Sequence, residues 1–144
     1  MEALNYFLNN RVNESFESMH VFNGAKTAVL GIGFIINSTE TRVIYFECES
    51  DGESLRLKSA LPWEGSMGEY GSVKTERLDD RFSGAINKCK CYFVNTKLLS
   101  IELSFQNRGF LSITNWGDDL ILKEEPFAFG DELNFYDMVS IKEL

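Results

Sequence analysis

The residue types that catalysis most often uses are sparse in this sequence. His20 is the single histidine, and it lies in a stretch predicted to connect to the first strand, where a lone histidine is usually a surface residue. The sequence has no Gly-x-Ser-x-Gly elbow and no glycine-rich phosphate loop followed by lysine. Gly31 and Gly33 lie inside an apolar stretch with the pattern of a strand, where glycine allows a bend or a bulky neighbour. These patterns predict a protein that is not an enzyme.

Two pairs of carboxylates could be compared with those of glycosidases. Glu47 and Glu49 share one face of a predicted strand, and Asp118 and Asp119 are adjacent in the chain. No predicted sugar-stacking groove or pKa-raising environment accompanies either pair. We therefore expect both pairs to face solvent.

The three cysteines predict reduced thiols. Cys89 and Cys91 are too close in one strand to form a disulfide without distortion, and an odd count leaves at least one thiol free. Structural zinc needs four ligands, and Cys48 with His20 would complete that number. A Cys-x-Cys pair on one strand face is poor spacing for such a site, so we expect buried thiols, no metal and no cofactor.

The segment Asn115–Asp119 contains the most distinctive local pattern, Asn-Trp-Gly-Asp-Asp. Glycine and aspartate suit a tight turn, with Trp116 covering the edge of the core. The alternative is an interface anchor, because an exposed tryptophan surrounded by carboxylates can dominate a binding surface. The turn is favoured, and the anchor stays open.

Acidic residues are clustered. The net charge is −8, and residues 110–144 hold eight acids and two bases, a net of −6, while residues 40–53 hold five acids and one base. Residues 54–109 hold nine bases and six acids, a net of +3. This split argues against nucleic-acid binding, which needs a coherent basic face. It favours a basic protein partner; an acidic solubilising surface is the alternative.

Apolar residues mostly alternate with polar ones, which is the pattern of β-strands. Strands are predicted at 28–36, 41–49, 54–61, 88–95, 99–105, 110–115 and 119–123. Helices are predicted at residues 2–12 and 131–144, with an extended tail as the alternative for the second. Residues 62–80 are predicted to form a long connection. The fold class is therefore mainly β: two antiparallel meanders packed as a sandwich or half-open barrel, with one or two peripheral helices.

The length of 144 residues predicts a single domain, 1–144. A possible internal repeat relates residues 22–65 to 82–117. Phe22-Asn-Gly-Ala recurs as Phe82-Ser-Gly-Ala sixty positions later, and a tryptophan follows the third predicted strand after each copy, at Trp63 and Trp116. Such a repeat would place one meander in each half of the chain.

The second half of the chain combines three patterns: Phe82-Ser-Gly-Ala, the alternating Leu99–Phe105 strand, and Leu111-Ser-Ile-Thr-Asn-Trp-Gly-Asp118. With them it resembles small bacterial immunity proteins of polymorphic toxin and contact-dependent growth inhibition systems. The resemblance implies a cytoplasmic, non-enzymatic protein that binds a cognate toxin domain, often a nuclease, and blocks its basic active site. The expected contact residues are Trp116 and ten acidic residues: Glu47, Glu49, Asp51, Glu53, Asp118, Asp119, Glu124, Glu125, Asp131 and Glu132.

Two other classes stay open. A small-ligand-binding or enzymatic β-barrel would line its cavity with Tyr45, Tyr92 and Trp63. A structural module would pair through sheet edges and form a stable homo-oligomer. We expect a monomer or weak dimer that contacts neither nucleic acid nor a membrane, since no apolar run reaches the length of a membrane span.

Overall fold

The computed structural model describes residues 2–37, 41–60, 73–94, 96–117, 119–126 and 139–143. Within them, helix α1 (Glu2–Leu8) precedes ten strands, and a 3₁₀ turn (Asp80–Phe82) lies between the fifth and sixth. The strands are β1 (Val12–Phe22), β2 (Ala25–Asn37), β3 (Thr41–Cys48), β4 (Leu55–Ala60), β5 (Val73–Arg77), β6 (Ile86–Val94), β7 (Lys97–Phe105), β8 (Phe110–Trp116), β9 (Asp119–Lys123) and β10 (Val139–Glu143). No helix in this described part has the length and apolar character that crossing a membrane requires.

The strands form two five-stranded antiparallel sheets. Sheet A has the order β4-β3-β2-β1-β5, and sheet B has the order β10-β6-β7-β8-β9. In each sheet four consecutive strands form a meander, and a fifth strand pairs with the first strand of that meander. The predicted class, a mainly β fold with two antiparallel sheets, is confirmed.

Aromatic rings join the helix to both sheets in the core. The ring centroid of Phe34 on β2 lies 4.9 Å from that of Phe7 on α1, 5.6 Å from Phe46 on β3 and 5.9 Å from Phe105 on β7. All four side chains are buried. Because the inward residues of both sheets are almost all aliphatic or aromatic, burial of their apolar surface holds the sheets face to face.

A second, smaller apolar cluster lies on the outer face of sheet A. It contains Phe16, Val43 and Tyr45, which are at most 9% exposed. Gly33, between them on β2, has no side chain, so the Phe16 ring lies across it. A Cβ atom at Gly33 would be only 2.4 Å from Cζ of Phe16. The Phe16 and Tyr45 rings meet edge to face, with centroids 5.8 Å apart.

Three elements differ from the sequence prediction. Residues 12–22, predicted as part helix and part connection, form β1, whose pairing with β2 contains three irregularities that break the alternating pattern. Val73–Arg77, predicted within a connection, is the edge strand β5. Val139–Glu143, within the predicted C-terminal helix, is strand β10, and the extended alternative describes it better.

The two matching quartets occupy different places in the fold. Phe22–Ala25 forms the β1–β2 turn, and Phe22 is 68% exposed. Phe82–Ala85 instead links the 3₁₀ turn to β6, and Phe82 is 4% exposed. Trp63 lies outside the described residues. What the two halves share is the strand order of their sheets.

Alternate turns of both meanders gather at one end of the sandwich, which we call the hairpin end. It holds the β1–β2, β3–β4, β6–β7 and β8–β9 turns: Asn23–Gly24, Glu49–Ser54, Thr96 and Gly117. At the opposite end, the β7–β8 turn meets the 3₁₀ turn through a hydrogen bond from the Gly109 amide to the Arg81 carbonyl, 2.9 Å. The two ends therefore bring together different parts of the sequence.

Candidate functional site at the hairpin end

Three turns enclose a cleft of about 510 Å³ at the hairpin end. Sheet A contributes Gly52 and Glu53, and sheet B contributes two turns. The lining residues from sheet B are Val94, Lys97, Asn115, Trp116 and Gly117. The cleft therefore combines an acidic stretch of the first half with the Trp116 segment of the second half.

Trp116 is both a turn residue and an exposed aromatic side chain. The β8–β9 turn is closed by Gly117 in the left-handed region, with a φ of 66°, and by a 3.2 Å hydrogen bond from the Asn115 side-chain amide to the Gly117 carbonyl. Trp116 is 45% exposed, whereas Asn115 is buried. The two readings of this segment are thus compatible, because the turn holds the indole at the surface.

Asp119 lies beside the indole. It is the cross-strand partner of Trp116 at the start of β9, and directly paired residues point to the same face of a sheet. Asp119 is exposed. A carboxylate therefore flanks the tryptophan from sheet B, while Glu53 lines the same cleft from sheet A.

Lys97 joins the two sheets across this end. Its ammonium lies 2.7 Å from a carboxylate oxygen of Asp51 and 3.0 Å from one of Glu53. Asp51 also accepts a 2.8 Å hydrogen bond from the Glu53 amide, which shapes the β3–β4 turn. The hydrogen bond from Lys97 lowers the pKa of Asp51, and the same contact raises the pKa of Lys97. The single positive charge of Lys97 is thus paired with two carboxylates, and the three side chains together remain negatively charged.

Glu47 and Glu49 lie on the same side of sheet A and share Arg56. The guanidinium of Arg56 donates through Nε to Glu47 at 2.9 Å, and its Nη1 lies 3.9 Å from a Glu49 oxygen. The hydrogen bond to Glu47 raises the pKa of Arg56. Both carboxylates of this pair therefore contact the same cation, and the three side chains form an ion-pair network.

The acidic residues after Trp116 are divided between the two ends. Asp119 begins β9 at the hairpin end, whereas Glu124 and Glu125 follow β9 at the opposite end. Glu124 accepts from the Arg81 guanidinium at 2.6 Å, and Glu125 is exposed. Asp118, Asp131 and Glu132 lie outside the described residues. Glu124 and Glu125 therefore lie outside the cleft, since the five-residue strand β9 separates them from its end at Asp119 by about 17 Å.

The hairpin end is acidic after its ion pairs are counted. Besides the Lys26–Glu17 ion pair, which has no net charge, five carboxylates lie there and two cations face them, so these seven side chains carry a net charge of −3. The carboxylates are Glu47, Glu49, Asp51, Glu53 and Asp119, and the cations are Arg56 and Lys97. A negative surface of this kind favours encounter with a positive one.

Several residues considered from the sequence do not form a site together. His20 is an exposed residue of β1. Tyr45 and Tyr92 lie on the outer faces of different sheets, so they do not line one cavity. Tyr92 donates to Glu102 at 2.6 Å. Within the residues that the structure describes, no cluster of three metal-ligating side chains is present.

Cys89 and Cys91 are buried on the inner face of β6, and their sulfur atoms are 3.8 Å apart. Hydrogen bonding between the thiols, followed by burial, raises the pKa of Cys89 far above its ordinary value. All three cysteines are free thiols. Cys89 therefore contributes apolar packing and has little thiolate character, whereas Cys48 is only partly buried.

Sequence reasoning missed Lys97, which completes the cleft. Lys97 stands in a net basic stretch of the chain, so its role beside two acids appears only when the β6–β7 and β3–β4 turns are brought together. No family model, curated protein or solved structure matches this chain, so its function has to be inferred from the geometry of the hairpin end.

Proposed function

We propose that this chain is a non-enzymatic immunity protein, which binds a basic bacterial toxin domain through its hairpin end and blocks the active site of that domain. The observation that carries the proposal is the half-exposed Trp116 indole, in a cleft whose surroundings have a net charge of −3. An aromatic anchor inside a charged rim is the arrangement of many strong protein interfaces.

The division of the contacts suggests how binding would proceed. The rim carboxylates, Asp119 among them, attract a positive surface and accelerate association. Trp116 then loses its water and packs against the partner, which slows dissociation. A nuclease suits this mechanism, because its active site binds a polyanion and is basic. Occupation of that site by the hairpin end excludes the nucleic acid both sterically and electrostatically.

The first test is affinity capture from a lysate of the native bacterium, with washes at increasing salt and identification of the retained protein by mass spectrometry. The proposal expects one basic, toxin-like domain. Its activity should fall to background when an equimolar amount of this chain is added. Retention that does not change between 50 and 300 mM salt would contradict the electrostatic mechanism.

The two ends of β9 supply a matched pair of variants. Asp119→Lys and Glu125→Lys make the same charge change at exposed positions, but only the first lies at the hairpin end. Asp119→Lys should slow association with the captured domain by roughly tenfold at low salt, and Glu125→Lys should change it less than about twofold. Equal effects of the two variants would refute the assignment of the hairpin end.

A small-ligand-binding protein is the second candidate, and the volume of the cleft favours it. About 510 Å³ falls in the range of small-molecule sites, and Glu53, Lys97 and Asn115 supply polar groups. A rise in melting temperature with one metabolite, abolished by Trp116→Ala, together with no retained protein in the capture experiment, would replace the inhibitor proposal with this one.

A further inference from the structure

The β1–β2 hairpin projects beyond the rest of sheet A at the hairpin end. Strand β3 pairs with β2 only from Gly31 onward, and β5 pairs with β1 only as far as His20. In the described part of the chain, Val21–Leu30 therefore pairs only within itself and with Met19 and His20 of β1, and we call it the arm. From Leu30 to Ala25 the arm extends about 17 Å past the end of β3.

The arm has an ordered tip. Asn23 and Gly24 have φ values of 53° and 78°, which are the two positive values of a type I′ turn, the turn that fits the twist of a β-hairpin. Behind the tip, the Thr27 hydroxyl donates to the His20 carbonyl at 3.1 Å, and Lys26 pairs with Glu17 at 3.4 Å. The arm can therefore meet a partner without a large ordering cost.

An apolar side chain stands at this tip. Phe22 is 68% exposed, and it and Trp116 are the two large apolar side chains that stand out at the surface of the described residues. Both lie at the hairpin end. Phe22 contributes little to the core, because most of its ring is in water, so its apolar surface is available for burial against another molecule.

The charges beside the arm indicate what that molecule is. The arm leaves sheet A next to the turn that holds Glu49, Asp51 and Glu53. A second copy of this chain would bring the same acidic turn and a net charge of −8, which disfavours self-association. A basic protein meets both the carboxylates and the apolar tip favourably.

We propose that the arm is a second contact element for the basic protein that the hairpin end binds, and that Phe22 enters an apolar pocket bordered by the partner's basic residues. This inference rests on the proposed function, and it adds a second aromatic anchor that is separate from Trp116. The two aromatic side chains then contact the partner at separate points, and the acidic turn at the same end supplies the attraction.

The test uses the basic protein recovered in the capture experiment as the probe and compares Phe22→Ala with Trp116→Ala by calorimetry. Each variant should weaken binding by roughly 30-fold, the loss typical of truncating an aromatic anchor. Phe22→Trp keeps a large ring at the tip and should restore most of the affinity. Urea unfolding of Phe22→Ala should match the wild type, because the side chain is exposed.

The outcomes separate the two proposals. Loss with both alanine variants supports the arm. Loss with Trp116→Ala alone overturns the arm and leaves the proposed function standing, whereas loss with Phe22→Ala alone supports the arm and removes Trp116 from the site. Unchanged affinity of both variants, or capture of no basic protein, overturns the arm and the proposed hairpin-end site together. A dimer in light scattering that Phe22→Ala dissolves overturns the choice of partner.

Discussion

Replacing Gly33 by alanine should destabilise the fold through a single contact. The added Cβ would lie 2.4 Å from Cζ of Phe16 and 2.8 and 2.9 Å from its two Cε atoms, against a normal carbon–carbon separation of about 3.5–4.0 Å. The ring would have to move by about 1 Å. It cannot do so freely, because Phe16 is 4% exposed and its ring meets that of Tyr45 edge to face at 5.8 Å.

The magnitude follows from two opposing effects. Overpacking of a buried site costs about 1–3 kcal/mol, and the lower backbone entropy of alanine in the unfolded chain returns about 0.4–1 kcal/mol. The steric effect dominates here because three ring atoms are closer than 3 Å to the new Cβ. We expect Gly33→Ala to lower the free energy of unfolding by about 2 kcal/mol, a fall in melting temperature of roughly 6 °C for a chain of this size.

Urea unfolding monitored by tryptophan fluorescence measures this, with Gly31→Ala as the matched control. Gly31 lies two residues away on the same face of β2, and its Cβ would be 3.2 Å from the Phe46 carbonyl oxygen and 3.8 Å from the Glu47 Cβ. That variant should cost less than about 1 kcal/mol. In a Phe16→Leu background, which removes the clashing ring atoms, Gly33→Ala should become nearly neutral. Equal costs at Gly31 and Gly33 would refute the reasoning.

Three further expectations follow from the described contacts. Lys97→Met should return the lowered pKa of Asp51 toward the ordinary value of about 3.9, which NMR titration follows. In the wild type, the Lys97–Asp51 contact stabilises the fold at neutral pH, and this stabilisation is lost as pH falls through the lowered pKa of Asp51. The variant should lack this pH-dependent part of the stability. Tyr45→Phe should leave stability unchanged or raise it by up to about 1 kcal/mol in urea unfolding, because the buried Tyr45 hydroxyl has no hydrogen-bond partner among the described residues; a clear loss would mean that it has one. In the wild type, burial and then the charge of Glu47 raise the pKa of Tyr45, so ultraviolet titration should show the Tyr45 phenol ionising above about 10. Its contribution to stability should be lost as pH rises through this raised pKa. Gly24→Ala forces an L-residue to a φ of 78° and should cost about 1 kcal/mol, with faster amide exchange confined to the arm; exchange that stays at the wild-type rate would show that the tip does not need glycine.

The pattern of apolar and polar residues along the chain predicted the strands in which one face or both faces are apolar. Strands β2 to β4 and β6 to β9 were found in this way because tertiary burial and local pattern agree in them. Strand β1 was missed because two of its buried residues are serines, Ser15 and Ser18, and because its pairing with β2 is irregular at Asn13. Strand β5, Val-Lys-Thr-Glu-Arg, is an edge strand whose charged composition is typical of a loop.

The candidate site was only partly predictable for a related reason. Trp116 was identified because its turn motif is local, and the acidity of residues 49–53 could be counted directly. Which acids share a surface depends on strand direction: the strand that carries Asp119 at one end delivers Glu124 to the other. The exposure of Phe22 depends on β2 being longer than β3, and composition holds no information on that difference.

The common strand order of the two sheets has a consequence for how the chain folds. Within each meander, neighbouring strands are joined by short turns, as between Phe22 and Ala25. The fifth strands pair across much longer stretches, with Phe16 opposite Arg77 and Lys90 opposite Glu143, and closing such loops carries a larger entropic cost. We therefore expect each meander to form early and β5 and β10 to dock late. The same two strands should be the first to open in the native state, and their amides should exchange with solvent well before those of the central strands β2 and β7.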